Sequence, residues 1–520
     1  MSADRGGQPA QSALATPHVL ATDAGIAVLR DGGTAIDAAI AAAAVLTVVY
    51  PHNVALGGDL FALIRTPDGA VRCVNASGWA GAGVDAAALR ARHGDTLPAR
   101  GAAPVTVPGG VRGWETMRGF GSRTSWSATL SAAQALARDG VAVAPSLATH
   151  LVDPDNADLI GTDDFDRVFR PHGVPLGVGD VLRQPALADT LATLQAGGPD
   201  AFYTGVLTEQ MVAHLRSHES VLGTDDFADF QPQLQEPLSM DFDGLTVLTS
   251  PPNSQGFLLL SALAAMYEQR IDDPVGDGLG HLVRAFHQGN EIRDSKLADP
   301  RFADIELDLR DGPRGLAAAP PGTPRGDTVG IAAVDSEGYA VSLIQSVYYA
   351  FGSGLIDPAT GVLFHNRGCG FSLDPSSANL IGPRKRPAHT LMPAMTLRQG
   401  RIAHVLSTMG GQGQPQILAQ ILLRALGGAG AVDAVAAPRA VVGNQCGGGP
   451  DTVTVEADLP LAAKASIRRA GFDPTEVPPR TEALGQANVV FVDSAGSVTA
   501  ASDPRSDGSA VVAHYARPQS

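Results

Sequence analysis

Gly326-Asp327-Thr328-Val329-Gly330-Ile331-Ala332-Ala333-Val334, then Asp335-Ser336-Glu337-Gly338, then Tyr339-Ala340-Val341-Ser342-Leu343-Ile344-Gln345, is the stretch that decides the reading of this 520-residue chain. Two apolar runs around a four-residue turn predict a β-hairpin. Thr328 heads its first strand. Behind it, Asp299 to Arg325 is rich in Pro, Gly, Asp and Arg and reads as an exposed connection. The Asp327–Thr328 peptide bond is thus expected to be accessible while the Thr328 side chain is held rigidly. Cleavage of that bond would give Thr328 a free α-amine, whose ordinary pKa of about 8 makes it a usable base for its own hydroxyl at neutral pH. Position alone favours a plain β-branched residue that starts a strand.

Outward from the hairpin, helical periodicity dominates the first two-thirds of the chain. Ala21 to Arg30 ends at Gly32-Gly33, and a second helix runs from Ala35 toward Val45. Leu60 to Ile64 and Val71 to Asn75 read as two strands joined by Thr66-Pro-Asp-Gly69. Helices are predicted near Trp126 to Asp139, Gln184 to Gln195 and Thr208 to Ser217. Asp241 to Ser250 alternates like one strand; Pro251-Pro252-Asn253-Ser254-Gln255-Gly256 breaks it before helices at Phe257 to Gln269 and Leu279 to Leu297.

Composition excludes several classes. The 37 Lys and Arg against 53 Asp and Glu give a net charge of −16, unsuited to nucleic acid or anionic membranes as main partners. A small-molecule substrate fits better. Cys73, Cys369 and Cys446 are widely spaced, which suits a reduced compartment rather than a disulfide framework. With no apolar leader at the N-terminus, cytoplasmic residence is the expectation. The 13 His show no HExxH-type pairing, no P-loop or dinucleotide fingerprint is present, and neither metal nor cofactor is expected. A serine hydrolase would want a G-x-S-x-G elbow, and Pro252-Asn-Ser254-Gln-Gly256 lacks the first Gly.

Further segments accompany Thr328 in a fixed order: Pro17-His-Val-Leu-Ala-Thr-Asp-Ala-Gly25, Gly32-Gly-Thr-Ala-Ile-Asp-Ala-Ala39, Gly57-Gly-Asp-Leu-Phe61, Val107-Pro-Gly-Gly-Val-Arg-Gly-Trp114, Pro251 to Gly256, Lys385-Arg-Pro-Ala-His-Thr390, Met409-Gly-Gly411 and Ala501-Ser-Asp-Pro-Arg505. In this set the chain resembles the γ-glutamyltranspeptidase family of N-terminal nucleophile hydrolases over nearly its whole length. The resemblance implies an α+β fold, a four-layer αββα sandwich. It also implies a precursor that cuts itself between Asp327 and Thr328 into a large chain, 1–327, and a small chain, 328–520, which stay associated; pairing of two such units is left open. Thr328 would attack an amide and carry the acyl group as an ester. Ser346 stands where the family commonly has a Thr that bonds the nucleophile, and Gly410 and Gly411 match its oxyanion hole, where side-chain-free backbone N–H groups meet developing charge.

The departures from the family bear on substrate. Relatives that take a γ-glutamyl group hold its α-carboxylate with an Arg of the large chain and a serine pair, and its α-amine with an Asp and an Asn of the small chain. Here Asn75-Ala-Ser-Gly-Trp79-Ala-Gly81 lacks the Arg, Tyr348 stands for the Asn, Gly370 falls at or near the Asp, and His389-Thr390 replaces the serines. Trp79, Tyr348, Asn366, Arg367, His389 and Thr390 are therefore the expected pocket for another small acyl group. Arg367 is the candidate receptor of a carboxylate, which suits an oxalyl or glutaryl half-amide. Hydrolysis of an acyl amide or peptide-like compound is the preferred reaction. A genuine γ-glutamyl transferase or glutathione hydrolase, a relative that cleaves a carbon–carbon bond beside a carbonyl, and a non-catalytic binding relative are the alternatives.

Overall fold

A computed structural model of the chain describes residues 10–305, 327–444 and 448–515. Gly326, most of the expected connection and Cys446 lie outside the described residues. Two large sheets form the centre. The first has seven strands in the order Ser509–Tyr515, Ala10–Thr16, Asp327–Val334, Ala340–Tyr348, Asp59–Arg65, Val71–Ala76 and Gln233–Gln235. The second has six: Val498–Ser502, Gln486–Val492, Arg401–Met409, Ala394–Arg398, Leu245–Thr249 and Leu238–Phe242.

Three apolar layers hold these sheets between helices. Ala35–Val49 is buried along its entire length, so no polar stripe interrupts it; a reciprocal pair of hydrogen bonds between Thr34 and Asp37 starts it. With Val19–Arg30, Trp126–Asp139 and Pro185–Gly197 it covers the outer face of the first sheet. Phe257–Glu268, Leu279–Lys296 and Gln414–Leu426 cover the second. Between the sheets lie Phe61, Leu63, Ala332, Ile344, Met395, Val405 and Val490. All eight residues of Asp327–Val334 are buried, as a strand covered on both faces requires, which is why that segment reads as a continuous apolar run. This is the αββα sandwich.

The predicted hairpin forms with Thr328 directly opposite Ser346. The single strand expected over Asp241 to Ser250 is instead a hairpin, Leu238–Phe242 and Leu245–Thr249. Asp243-Gly244, both at positive φ, make its turn, a signal that outranks the alternation. Among the described residues no helix is long and apolar enough to cross a membrane.

Candidate active site

Direct opposition on neighbouring strands puts two side chains on one face. The Thr328 hydroxyl accordingly donates to Ser346 Oγ at 3.0 Å. Ser346 Oγ also accepts from the Tyr348 N–H at 2.8 Å and donates its own proton to the Asp327 carbonyl oxygen at 2.6 Å. That carbonyl belongs to the peptide bond expected to be cut. The Tyr348 contact arises because the register shifts between Ser346 and Tyr348, and Tyr348 takes φ 81°, which turns the chain back over Ser346. On the other side, Asn53 Nδ2 donates to the Thr328 carbonyl at 3.3 Å and Asn53 O accepts from Val347 N. Thr328 is wholly buried.

Gly410 and Gly411 follow a strand of the facing sheet. Ser342, the register partner of Ala332, donates to Leu406 O at 2.7 Å, whereas Gly330 lies against Ser407 and Thr408. The strand that carries Thr328 thus packs on Arg401–Met409, the strand that leads into Gly410. The close approach depends on Gly330, because a Cβ there would stand 2.7 Å from Thr408 N. Gly410 and Gly411 have φ of 144° and 50°, which turns the chain sharply from strand to helix.

Of the expected acyl pocket, Tyr348, Arg367 and Thr390 come together. The Arg367 guanidinium lies 3.6 Å from the Tyr348 ring centre, and its Nη1 donates to Thr390 Oγ1 at 3.2 Å. Arg367 is buried, yet among the described residues no carboxylate is within ion-pairing distance and its Nε has no acceptor. The other three have their polar atoms committed within the protein. Asn366 receives the Tyr349 N–H and donates to Ala99 O, fixing the turn after Tyr348. His389 accepts from Leu391 N on Nδ1 and donates from Nε2 to Asp59 at 3.1 Å; burial holds its pKa down to about 4, so it is a neutral strut. The Trp79 indole donates to Asp226 O and packs against Phe230 and Arg386.

Sequence reasoning did not single out Asn53, nor the cluster beyond it. His52, next in the chain, lies with its ring 4.7 Å from that of His150, and His150 Nε2 is 3.0 Å from Glu482 Oε1. Burial pulls the His150 pKa down, but the charge of Asp327 and the bond and charge of Glu482 outweigh it and raise the value to about 9. Nothing local marks such partners, which come from distant segments.

A buried threonine heading a central strand of a four-layer αββα sandwich defines an N-terminal nucleophile hydrolase architecture. The chain belongs to the γ-glutamyltranspeptidase family, whose family model matches residues 21–513. It is 35% identical to a glutathione hydrolase-like proenzyme of Bacillus subtilis, over 96% of this chain and 98% of that one. It is also 35% identical to an oxamate amidohydrolase proenzyme of Klebsiella pneumoniae, over 95% and 97%. Among solved structures, a cephalosporin acylase from Bacillus halodurans superposes with a TM-score of 0.88 at 30% identity, covering 98% of each chain. The protein is thus a hydrolase or acyltransferase of this family.

Proposed function

We propose that the chain is a proenzyme that cuts itself between Asp327 and Thr328, and that the resulting 1–327 and 328–520 chains together hydrolyse a small amide whose acyl group carries a carboxylate. In the first step Thr328 Oγ adds to the Asp327 carbonyl carbon while the Ser346 hydroxyl, already aimed at that oxygen, meets the developing charge. The Thr328 nitrogen leaves with a proton, and water then splits the ester to give the Asp327 carboxylate and the Thr328 α-amine. In turnover that amine takes the proton of its own hydroxyl, the hydroxyl attacks the substrate carbonyl, and the Gly410 and Gly411 backbone receives the oxyanion. The amine of the substrate departs, and water releases the acid.

The carrying observation for substrate is Arg367: a buried guanidinium with no carboxylate partner among the described residues, packed on Tyr348, two residues from Ser346. A buried charge is stable when paired, and a bidentate carboxylate is the natural guest. The oxamate amidohydrolase relative supports a half-amide of this kind. The glutathione hydrolase-like relative supports the γ-glutamyl alternative, against which stands Gly370 in place of an ammonium-binding aspartate. Two measurements test the reading. Intact mass of the purified chain should show two products split at Thr328, and one whole chain in Thr328→Ala; a wild type that stays whole removes the nucleophile assignment. With processed enzyme, oxalyl and glutaryl half-amides should be turned over well above γ-glutamyl and neutral acyl amides. Saturable γ-glutamyl turnover that exceeds the half-amides would overturn the substrate class.

A further inference from the structure

The Pro251–Gly256 segment fails as a serine elbow, but one of its side chains lies between the two halves of the catalytic pocket. Gln255 is fully buried. Its Nε2 donates one proton to Thr390 O at 2.8 Å and the other to Gly411 O at 2.9 Å. Its Oε1 faces Arg293 Nη1 at 3.4 Å, and Arg293 Nη2 donates to the Gln412 side chain at 3.0 Å. The main chain adds to the grip: Gln255 N donates to His389 O, His389 N to Asn253 O, and Ser254 Oγ to Leu391 O at 2.6 Å. Thr390 is the residue whose hydroxyl receives Arg367, and Gly411 is the residue after Gly410 in the glycine turn. One amide group thus joins the loop that faces the acyl carboxylate to the loop that faces the oxyanion.

We propose that Gln255 is a positioning residue for acyl transfer, holding the Thr390 and Gly411 peptide planes in fixed relation so that the Arg367 end and the oxyanion end of one substrate are met at once. This rests on the reading of Thr328, Arg367 and Gly410-Gly411 given above. The chemistry demanded is specific: two protons from one atom for two carbonyls, and an acceptor on the other atom for a guanidinium. Among side chains of this length only the glutamine amide supplies both without charge. The Gly411 carbonyl lies in the Gly411–Gln412 peptide plane, which hinges at the Gly411 Cα on the plane that carries the Gly411 N–H, so holding the first limits the second, and displacements near 1 Å at a reacting centre cost about 100-fold in rate. Self-cleavage uses the Ser346 donor instead, so maturation should proceed without Gln255.

The test compares wild type, Gln255→Met and Gln255→Glu, all as processed enzyme on the oxalyl half-amide. The methionine keeps the volume and removes the bonds; kcat should fall 30- to 100-fold while KM changes less than fivefold and self-cleavage persists. The glutamate is informative through pH. Ionised, its carboxylate opposes two carbonyl oxygens and turns to Arg293, which also pairs with Asp294; protonated, its single O–H restores one of the two donations. Its kcat should therefore rise on acidification by one proton, relative to wild type, a trend that the methionine variant lacks. Loss of activity in the glutamate variant with the wild-type pH profile would mark a merely structural role and overturn the proposal, as would kcat within twofold of wild type in both variants. A methionine variant that does not fold leaves the glutamate profile as the deciding measurement. Wild-type enzyme that cuts itself but spares the half-amide contradicts the substrate reading, not the bridge; the same comparison on whichever acyl amide it does turn over then decides it.

Discussion

Removing the Ser346 hydroxyl should slow maturation far more than it weakens the fold. Ser346 has one proton, and it goes to the Asp327 carbonyl at 2.6 Å, the oxygen that becomes an oxyanion when Thr328 attacks. One preset donor at such an oxygen is worth about 3 kcal/mol, or 10²- to 10³-fold in rate. Ser346→Ala also deprives the Thr328 hydroxyl of its acceptor and leaves the Tyr348 N–H unpaired, at a stability cost of about 1–3 kcal/mol. Ser346→Thr keeps the hydroxyl and should mature within tenfold of wild type. The assay is a time course of intact mass after cell-free synthesis, with the melting temperature of each variant measured alongside. Conversion of the alanine variant at the wild-type rate would refute the assignment of this hydroxyl to the scissile carbonyl.

Arg367→Met should lower kcat/KM for half-amides by about 10- to 100-fold, the worth of a charge-assisted bond, and leave neutral amides unaffected. Because this guanidinium is buried with no carboxylate partner among the described residues, the variant's melting temperature should hold or rise; a marked fall would mean a hidden structural role. His150 makes stability depend on pH in a stated direction. Its folded pKa of about 9 lies above the ordinary 6.5, so its stabilisation is complete below pH 6.5 and disappears as pH rises through 9. A rise of that size corresponds to about 3 kcal/mol. The melting-temperature advantage of wild type over His150→Gln should be greatest near pH 6 and shrink toward pH 9.5; a constant gap would contradict the charge account.

The hairpin was legible because its two apolar runs and its Asp335–Gly338 turn are local features, but a four-residue turn would pair Val334 with Tyr339 and Thr328 with Gln345; Val334 pairs instead with Ala340, which sets Ser346 across from Thr328. Ala10–Thr16 was not. It contains Ala, Gln and Ser where a strand signal wants Val, Ile or aromatic residues, and it becomes a strand because Asp327–Val334 and Ser509–Tyr515 each offer it an edge. His389 shows the same limit at the site. A histidine beside a threonine in a pocket motif reads as a ligand, and only Asp59, brought in from the neighbouring sheet, reveals that its ring is already engaged. Gln255 stood in a quoted motif, but its role lies in carbonyls of two remote loops, which no spacing rule encodes.

The proposed preference for a carboxylate-bearing acyl group turns on one short segment. Arg367–Gly370 is a single 3₁₀ turn, in which residues three apart eclipse one another, so positions 367 and 370 compete for one volume. A Cβ at Gly370 would overlap Arg367 Nη2 and crowd Ala388 O. An aspartate at 370 and a guanidinium stacked on Tyr348 therefore exclude each other. Gly370→Asp alone should consequently produce an internal Asp–Arg pair: half-amide turnover falls because Arg367 is occupied, and γ-glutamyl turnover does not appear because the aspartate is occupied too. Arg367→Ala with Gly370→Asp frees the carboxylate for an ammonium group, so its KM for a γ-glutamyl amide should drop below that of either single variant. Steady-state kinetics on both substrate classes decide the matter. A Gly370→Asp single variant that keeps full half-amide activity and gains γ-glutamyl turnover would show that the two side chains do not share that space.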